Sequence, residues 1–256
     1  MTRFSANLGF LWTELGLPDA IRAAAAAGFD AVECHWPYDV PAVAVRAALQ
    51  ETGLSMLGLN TVRGQTSRGE NGLTAVPGRE TEARAAIDQA LAYAQEVGAK
   101  AVHVMAGYAE GPQAEQTFLD GLDYACRSAQ ASDCVILIEP LNRHDAPGYF
   151  LQTTDQAAAL IAAVGAPNLK LMFDCYHVGR TEGDLTTRLE ALMPIIGHVQ
   201  IASVPDRGPP NSGEINYPYL FDLMDTLGWD RPIGAEYKPT GRTEDSLGWI
   251  ERVRAT

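Results

Sequence analysis

The sequence is poor in positive charge. It has 19 Lys and Arg residues against 32 Asp and Glu residues, and its formal net charge at pH 7 is -13. An acidic surface repels phosphate backbones and anionic lipids, so we expect no nucleic-acid partner and no membrane partner. A local cluster of Arg or Lys in a cleft could still bind an anionic substrate.

Long hydrophobic runs and closely spaced cysteines are also absent. No stretch of about 18 uncharged apolar residues occurs, and the first residues lack the apolar segment of a signal peptide. The four cysteines show no CxxC spacing, and we interpret them as reduced thiols. These absences predict a cytoplasmic protein.

The sequence does contain a regular alternation of short apolar runs with longer amphipathic segments. This alternation is typical of βα units around a parallel sheet. Eight such pairs fit in the 256 residues, and a closed (β/α)8 barrel needs about 250 residues. We therefore predict an α/β fold, a single-domain (β/α)8 TIM barrel over residues 1–256. The predicted strands are 4–8, 31–34, 55–59, 101–105, 135–139, 169–174, 196–201 and 233–236. The predicted helices are 18–27, 41–52, 80–97, 114–128, 154–164, 185–192, 217–227 and 246–253.

Two longer polar stretches follow predicted strands, at 61–78 and 203–216. In a barrel, segments that follow strands lie at the C-terminal mouth, where active sites of this fold form. Their content of Gly, Pro, Arg and Asn is typical of loops that cover a substrate.

Charged or amide residues stand at the ends of the last four predicted strands. Apolar runs lead into Glu139, Asp174, Gln200 and Glu236. A buried carboxylate is unfavourable unless something pairs with it, so three acids around one mouth predict a bound cation. Oxygen ligands favour Mg²⁺ or Mn²⁺ over Zn²⁺. The alternative interpretation is that these residues are separate helix caps or structural acids in salt bridges.

The same acids suit a proton-transfer reaction. If a metal polarises a carbonyl group, one glutamate can remove a carbon-bound proton and another can return it at the neighbouring carbon. Glu139 and Glu236 are the candidates, because they follow the fifth and eighth predicted strands and could approach a substrate from opposite sides. The sequence thus predicts an isomerase for a small hydroxy-carbonyl substrate.

Two further side chains are candidates for substrate binding. His177 could hydrogen-bond a substrate oxygen, and the alternative is a loop histidine that caps nearby backbone. Arg207 could hold a substrate carboxylate through paired donors, and the alternative is a solvated loop arginine. His103 is consistent with a core or a pocket role. Glu33 is consistent with orienting a pocket group or pairing with a neighbouring base.

Several longer motifs carry a family resemblance. They read RFSANL at 3–8, PGRE at 77–80, IEPLN at 138–142, FDCYH at 173–177, GHVQIA at 197–202, GEINY at 213–217 and GAEYKP at 234–239. Together they resemble the hydroxypyruvate isomerase family of the xylose isomerase-like barrel superfamily, over nearly the whole chain.

The resemblance implies roles for individual residues. The family residues that match Glu139, Asp174, Gln200 and Glu236 are metal ligands, and those that match the two glutamates also exchange protons. The implied substrate is hydroxypyruvate, interconverted with tartronate semialdehyde. Related members act on 2-oxo-tetronates, and cousins in the superfamily epimerise ketoses at C3. The chain departs from the family at 59–66, where it reads LNTVRGQT instead of HNLPAGDW. This departure concerns the substrate-contacting loop and leaves the metal site unaffected.

Other functions stay open at this point. A ketose 3-epimerase would use the same metal and glutamates on a longer, neutral sugar, and a non-catalytic sugar-binding protein would need neither glutamate. An apurinic endonuclease is disfavoured, because the chain is acidic and has only five histidines. Enzymes of that class are expected to hold three metals in a histidine-rich site. The oligomeric state is open, a homo-oligomer included.

Overall fold

The computed structural model describes residues 2–254 as a ring of parallel strands surrounded by helices. The strands are β1 (Phe4–Asn7), β2 (Ala31–Glu33), β3 (Ser55–Met56), β4 (Gly58–Asn60), β5 (Ala101–His103), β6 (Val135–Ile138), β7 (Leu169–Asp174), β8 (Ile196–Ile201) and β9 (Ile233–Ala235). The helices are α1 (Leu17–Ala26), α2 (Ala42–Thr52), α3 (Glu80–Val97), α4 (Gly111–Ala129), α5 (Thr154–Val164), α6 (Cys175–Thr181), α7 (Leu185–Leu192), α8 (Tyr217–Thr226) and α9 (Gly248–Arg254).

The third predicted strand, 55–59, is split in two at Leu57. Its first half, β3, pairs with β2, and its second half, β4, pairs with β5. The backbone N–H of Cys34, directly after β2, donates to Gly58 O of β4 at 3.1 Å, so β2 also contacts the second half of the split strand. The nine segments therefore form the eight strands of a barrel, and the predicted fold is confirmed.

The eight predicted helices are present in the region described, and α3, α5 and α7 have the predicted bounds. Helix α6 was not predicted. It begins directly after β7 because the Oδ1 atom of Asp174 accepts a hydrogen bond from Tyr176 N at 2.8 Å and so caps the helix. Between residues 2 and 254, no helix combines the length and the hydrophobicity needed to cross a membrane.

The interior of the barrel has an apolar layer beneath a polar one. Buried Ala101, Leu137 and Met172 form a small apolar cluster. Because strand side chains alternate between two faces, the residues two positions farther along share the direction of this cluster. Those residues are His103, Glu139 and Asp174. The larger hydrophobic core packs between the strands and the helices, and it contains all four cysteines, which form no disulfide.

A β-bulge at Gly197 decides which residues of β8 face the interior. Leu171 pairs with Ile196, but the next residue of β7 pairs with His198, so β8 carries one extra residue. A one-residue shift sends every later side chain to the opposite face. Ile196 accordingly belongs to the outer core, while Gln200 contacts polar residues of the interior.

We predict that Gly197→Ala destabilises the protein. A Cβ atom at this position would lie 2.5 Å from Lys170 Cβ and 2.6 Å from Leu137 Cδ2. Overpacking of this kind should lower the free energy of unfolding by about 1–3 kcal/mol, measured by urea denaturation followed by circular dichroism. Gly16→Ala is the control, because a Cβ there meets no atom within 4 Å. Equal stability of the two variants would contradict the bulge argument.

Candidate active site

The four predicted ligand residues meet at the C-terminal end of the barrel. Glu139 follows β6, Asp174 ends β7, Gln200 lies in β8, and Glu236 follows β9. All four are buried, with exposed fractions between 1% and 6%. The first two and His177 offer ligand atoms that lie within 4.8 Å of one another. Gln200 and Glu236 are linked to these three residues indirectly, through hydrogen-bonded side chains that lie between them.

Glu236 is the most heavily hydrogen-bonded of the three predicted acidic ligands. Its Oε1 atom accepts from Asn7 Nδ2 at 3.0 Å and lies 2.8 Å from His35 Nε2. Its Oε2 atom accepts from Arg207 Nη2 at 2.7 Å. Burial raises the pKa of Glu236, but the arginine and His35 outweigh burial and lower this pKa below its usual value. The side chain is therefore an ionised carboxylate at neutral pH.

Glu139 has the opposite environment. Its Oε2 atom lies 3.6 Å from His103 Nδ1, and its Oε1 atom lies 3.8 Å from His177 Nε2. The Oε1 atom is buried and accepts no hydrogen bond from the described residues. Burial, together with the charges of Glu236 and Asp174, raises the pKa of Glu139 well above its usual value. Two glutamates in one site thus differ in their tendency to hold a proton.

Asp174 caps helix α6 with one carboxylate oxygen and faces the other polar residues of the site with the second. While its Oδ1 atom caps α6, its Oδ2 atom lies 3.4 Å from Arg207 Nη2 and 3.7 Å from His177 Nε2. Burial raises the pKa of Asp174, and the arginine opposes that rise. Helix capping, one of the alternatives to a ligand role, therefore occupies only one of its two oxygens.

The amide of Gln200 is oriented by Glu33. Gln200 Nε2 donates to Glu33 Oε1 at 2.8 Å, which leaves Gln200 Oε1 as a buried acceptor without a hydrogen-bond donor among the described residues. Glu33 also accepts from Asn7 Nδ2 at 2.9 Å and from Ser5 Oγ at 3.3 Å, and it pairs with His198. Both interpretations of Glu33 from the sequence therefore hold, since it orients a pocket group and pairs with a base.

His177 contacts the backbone through one ring nitrogen and faces the acids through the other. Its Nδ1 atom accepts from Asn142 N at 2.9 Å, so in the neutral ring the proton lies on Nε2, between Glu139 and Asp174. Burial is the main cause that lowers the pKa of His177, to about 3, so the ring is neutral. His177 lies in α6 and not in a loop.

Arg207 is not a solvated loop residue, because its side chain is only 12% exposed. The guanidinium carbon lies 4.8 Å from the centre of the Phe10 ring and 4.9 Å from that of Tyr176. Burial lowers the pKa of Arg207, but the charges of Glu236 and Asp174 outweigh burial and raise it. This residue is the positive charge that the acidic cluster needs.

Sequence reasoning missed Asn7 and His35. Asn7 ends β1, so it carries the same signal as the four predicted ligands: a polar residue after an apolar run. Glu33 and His103 end β2 and β5 and carry that signal too, but the sequence left their roles open. His35, one residue beyond β2, offers no such signal, because its contact with Glu236 spans 201 positions of the chain.

The chemistry of the donor set fits a hard divalent cation. Carboxylate and amide oxygens are the ligands that Mg²⁺ and Mn²⁺ prefer, and the Oε1 atoms of Glu139 and Gln200 are two oxygens of this kind without a hydrogen-bond partner among the described residues. His177 suits a ligand role less well, because its Nε2 atom holds the proton. Arg207 stands beside Asp174 and Glu236, where a cation would otherwise compensate the two carboxylates.

Comparison with known proteins assigns the chain to a family. The model of the family described as xylose isomerase-like TIM barrel matches residues 21–253. A 2-oxo-tetronate isomerase from Cupriavidus necator is 46% identical over 255 residues, which cover 98% of this chain and 98% of that protein. A hydroxypyruvate isomerase from Escherichia coli (strain K12) is 38% identical over 258 residues, which cover 99% of this chain and 100% of that protein. A crystal structure from Brucella melitensis, described as an AP endonuclease of family 2, has a TM-score of 0.95 and 38% identity, and the match covers 98% of this chain and 99% of that one. The chain therefore belongs to the xylose isomerase-like TIM barrel family and, within it, to the hydroxypyruvate isomerase family.

Proposed function

We propose that this protein is a divalent-metal-dependent isomerase that interconverts hydroxypyruvate and tartronate semialdehyde, or a close 2-oxo-acid sugar such as a 2-oxo-tetronate. Isomerase activity of the aldose–ketose type follows from the family. The observation that carries the proposal is the contrast between two buried glutamates in one site: Glu236 accepts hydrogen bonds from Asn7 and Arg207, whereas Oε1 of Glu139 has no donor among the described residues. Environments that push two carboxyl pKa values apart are typical of a base and an acid that work as a pair.

The two glutamates exchange protons with neighbouring carbons of the substrate. Ionised Glu236 removes a proton from C3 of hydroxypyruvate, and the C–H electrons form the C2–C3 double bond of an enediolate. Glu139 then delivers a proton to C2, and the proton of the C3 hydroxyl passes to the C2 oxygen. C3 thereby becomes the aldehyde carbon, and C2 carries the new hydroxyl group. The reaction is reversible, so the two residues exchange roles in the opposite direction.

The cation would be Mg²⁺ or Mn²⁺, held by Glu139, Asp174, Gln200 and Glu236. When bound, it would polarise the substrate carbonyl and favour the negative charge of the enediolate. The unpartnered Oε1 atoms of Glu139 and Gln200 support this assignment. Glu33 supports it indirectly, since it fixes the amide of Gln200 with its oxygen free.

Two side chains bind the substrate. Arg207 holds the carboxylate, because its Nε atom is a buried donor without a partner in the described residues and lies next to Nη2 on one edge of the guanidinium. His177 donates its Nε2–H to a carbonyl or hydroxyl oxygen. The relatives' names support an acidic substrate, since hydroxypyruvate and 2-oxo-tetronates are both carboxylates.

The second candidate is a ketose 3-epimerase, which would use the same acids on a neutral sugar. A buried arginine in the pocket favours the acidic substrate, because a neutral sugar offers it no opposite charge. The excess of acidic residues argues against an endonuclease, and the partner we propose is a small molecule rather than nucleic acid. The four buried cysteines form no disulfide, which supports a location in the reducing cytoplasm.

We expect Glu139→Gln to abolish proton exchange. The amide cannot donate or accept the transferred proton, so kcat/KM for hydroxypyruvate should fall by about 100-fold or more. Deuterium uptake from heavy water into the substrate, followed by NMR, measures the exchange step directly. Glu115→Gln, on the exposed face of α4, is the matched control. Undiminished exchange in Glu139→Gln would contradict its role.

Substitution of Arg207 should separate acidic from neutral substrates. Loss of a charge-assisted contact of about 1.5–3 kcal/mol predicts that Arg207→Ala raises KM for hydroxypyruvate or a 2-oxo-tetronate by about tenfold or more. The wild type should leave fructose and tagatose unchanged. Preference of the wild type for either ketose would favour the epimerase instead.

Removal of divalent cations should inactivate the enzyme. Dialysis against EDTA is expected to remove most of the hydroxypyruvate isomerase activity, and Mg²⁺ or Mn²⁺ should restore it. The measurement is the initial rate before dialysis, after dialysis and after each addition. A rate unaffected by EDTA would remove the metal from the proposal and leave the proton transfer between the two glutamates to be tested alone.

A further inference from the structure

Arg207 occupies the place of a cation within the group of acids. Its Nη2 atom lies 2.7 Å from Glu236 Oε2 and 3.4 Å from Asp174 Oδ2. Both carboxylates are buried, and both belong to the proposed metal-ligand set. One arginine nitrogen therefore satisfies two of the groups that a divalent cation would need.

The same contacts occupy the edge of the guanidinium that suits a carboxylate ligand. Nε and Nη2 form one side of the planar group, and a carboxylate binds two such donors with two parallel hydrogen bonds. Nη2 is engaged by the protein's own acids, whereas Nε is buried and has no partner in the described residues. A substrate carboxylate can use the full edge only when Glu236 and Asp174 are compensated by another cation.

The backbone of Arg207 is fixed, so any adjustment is confined to the side chain. The amide of Arg207 donates to Ser203 O at 2.9 Å, and its carbonyl accepts from Lys238 N at 2.7 Å. The rings of Phe10 and Tyr176 lie on the guanidinium at 4.8 and 4.9 Å. A shift of the side chain along these rings is the movement that would separate Nη2 from the acids.

We propose that Arg207 and a divalent cation compete for the Asp174–Glu236 pair, so that binding of the cation releases the Nε–Nη2 edge of the arginine. This inference rests on the metal site of the proposed function and adds a coupling that the site alone does not require. Two positive charges beside one pair of buried carboxylates repel each other strongly, because the surroundings screen them poorly. A ligand that displaces a resident group binds more weakly than it would to a site without that group.

The test is the affinity of cation-stripped protein for Mn²⁺, measured by titration calorimetry. Arg207→Met removes the competing charge and keeps an apolar side chain in contact with Phe10 and Tyr176. We expect it to bind Mn²⁺ more tightly than the wild type, by roughly 5- to 150-fold, the usual range for coupled ligands. Arg84→Met is the matched control, since it removes the same charge from a guanidinium whose carbon lies 5.1 Å from the centre of the Tyr124 ring, outside the site. Arg84→Met should bind Mn²⁺ as the wild type does.

Thermal unfolding gives a second readout that does not depend on activity. In EDTA, Arg207→Met should melt below the wild type, because its buried carboxylates have lost their counter-charge. Mn²⁺ should raise the Tm of Arg207→Met more than that of the wild type, since a tighter ligand stabilises more at the same concentration. If Arg207→Met does not fold without a cation, Arg207→Gln serves in its place, because it removes the charge and keeps a hydrogen-bond donor, and it should also bind Mn²⁺ more tightly than the wild type.

The outcomes separate this inference from the proposed function. Equal Mn²⁺ affinity of the wild type and the Arg207 variants would overturn the competition and leave the metal site intact. Weaker binding by the variants would also overturn it, because the arginine would then assist the cation. Absence of Mn²⁺ binding in every protein would overturn both. Tighter Mn²⁺ binding by the Arg207 variants, together with measurable binding by the wild type, would support the competition.

Discussion

The contact between Arg207 and two buried carboxylates is the interaction on which the rest of the site depends. Glu236 and Asp174 lie in a barrel interior where an uncompensated charge is strongly unfavourable. The guanidinium compensates both from one nitrogen, and Asn7 and His35 complete the shell of Glu236. Without a positive charge at this point, Glu236 could not remain an ionised carboxylate close to Asp174.

The barrel delivers these groups to one place through simple geometry. Each parallel strand points alternate side chains inward, and the inward residue nearest its C-terminal end reaches the mouth. β8 conforms only because the bulge at Gly197 reverses its alternation, which turns Gln200 inward. Glu33 then takes the amide nitrogen of Gln200 and leaves its oxygen free. The bulge at Gly197 and the carboxylate of Glu33 thus determine that Gln200 presents its amide oxygen, and not its amide nitrogen, to the site.

Identical residue types acquire different chemistry from their surroundings. Glu139 meets histidine rings at 3.6 and 3.8 Å and has one oxygen without a hydrogen-bond donor among the described residues, whereas Glu236 meets an amide, an imidazole and a guanidinium. The pKa of the first is raised and that of the second is lowered. An isomerase that moves a proton between adjacent carbons needs this difference, and the fold provides it without any change of residue type.

The sequence by itself determined the barrel, most element bounds and the four polar strand ends, because apolar runs and helix-stop signals are local properties of the chain. It also singled out Arg207 and His177, but it left the partner of the arginine undetermined. Helix α6 escaped prediction because a side-chain cap at Asp174 replaces the usual loop. Only the tertiary structure decided that His35 contacts Glu236, that Glu33 orients Gln200, and that the two glutamates differ in pKa. Those properties depend on distances between residues far apart in sequence, and on burial, which exists only once the strands have closed into a ring.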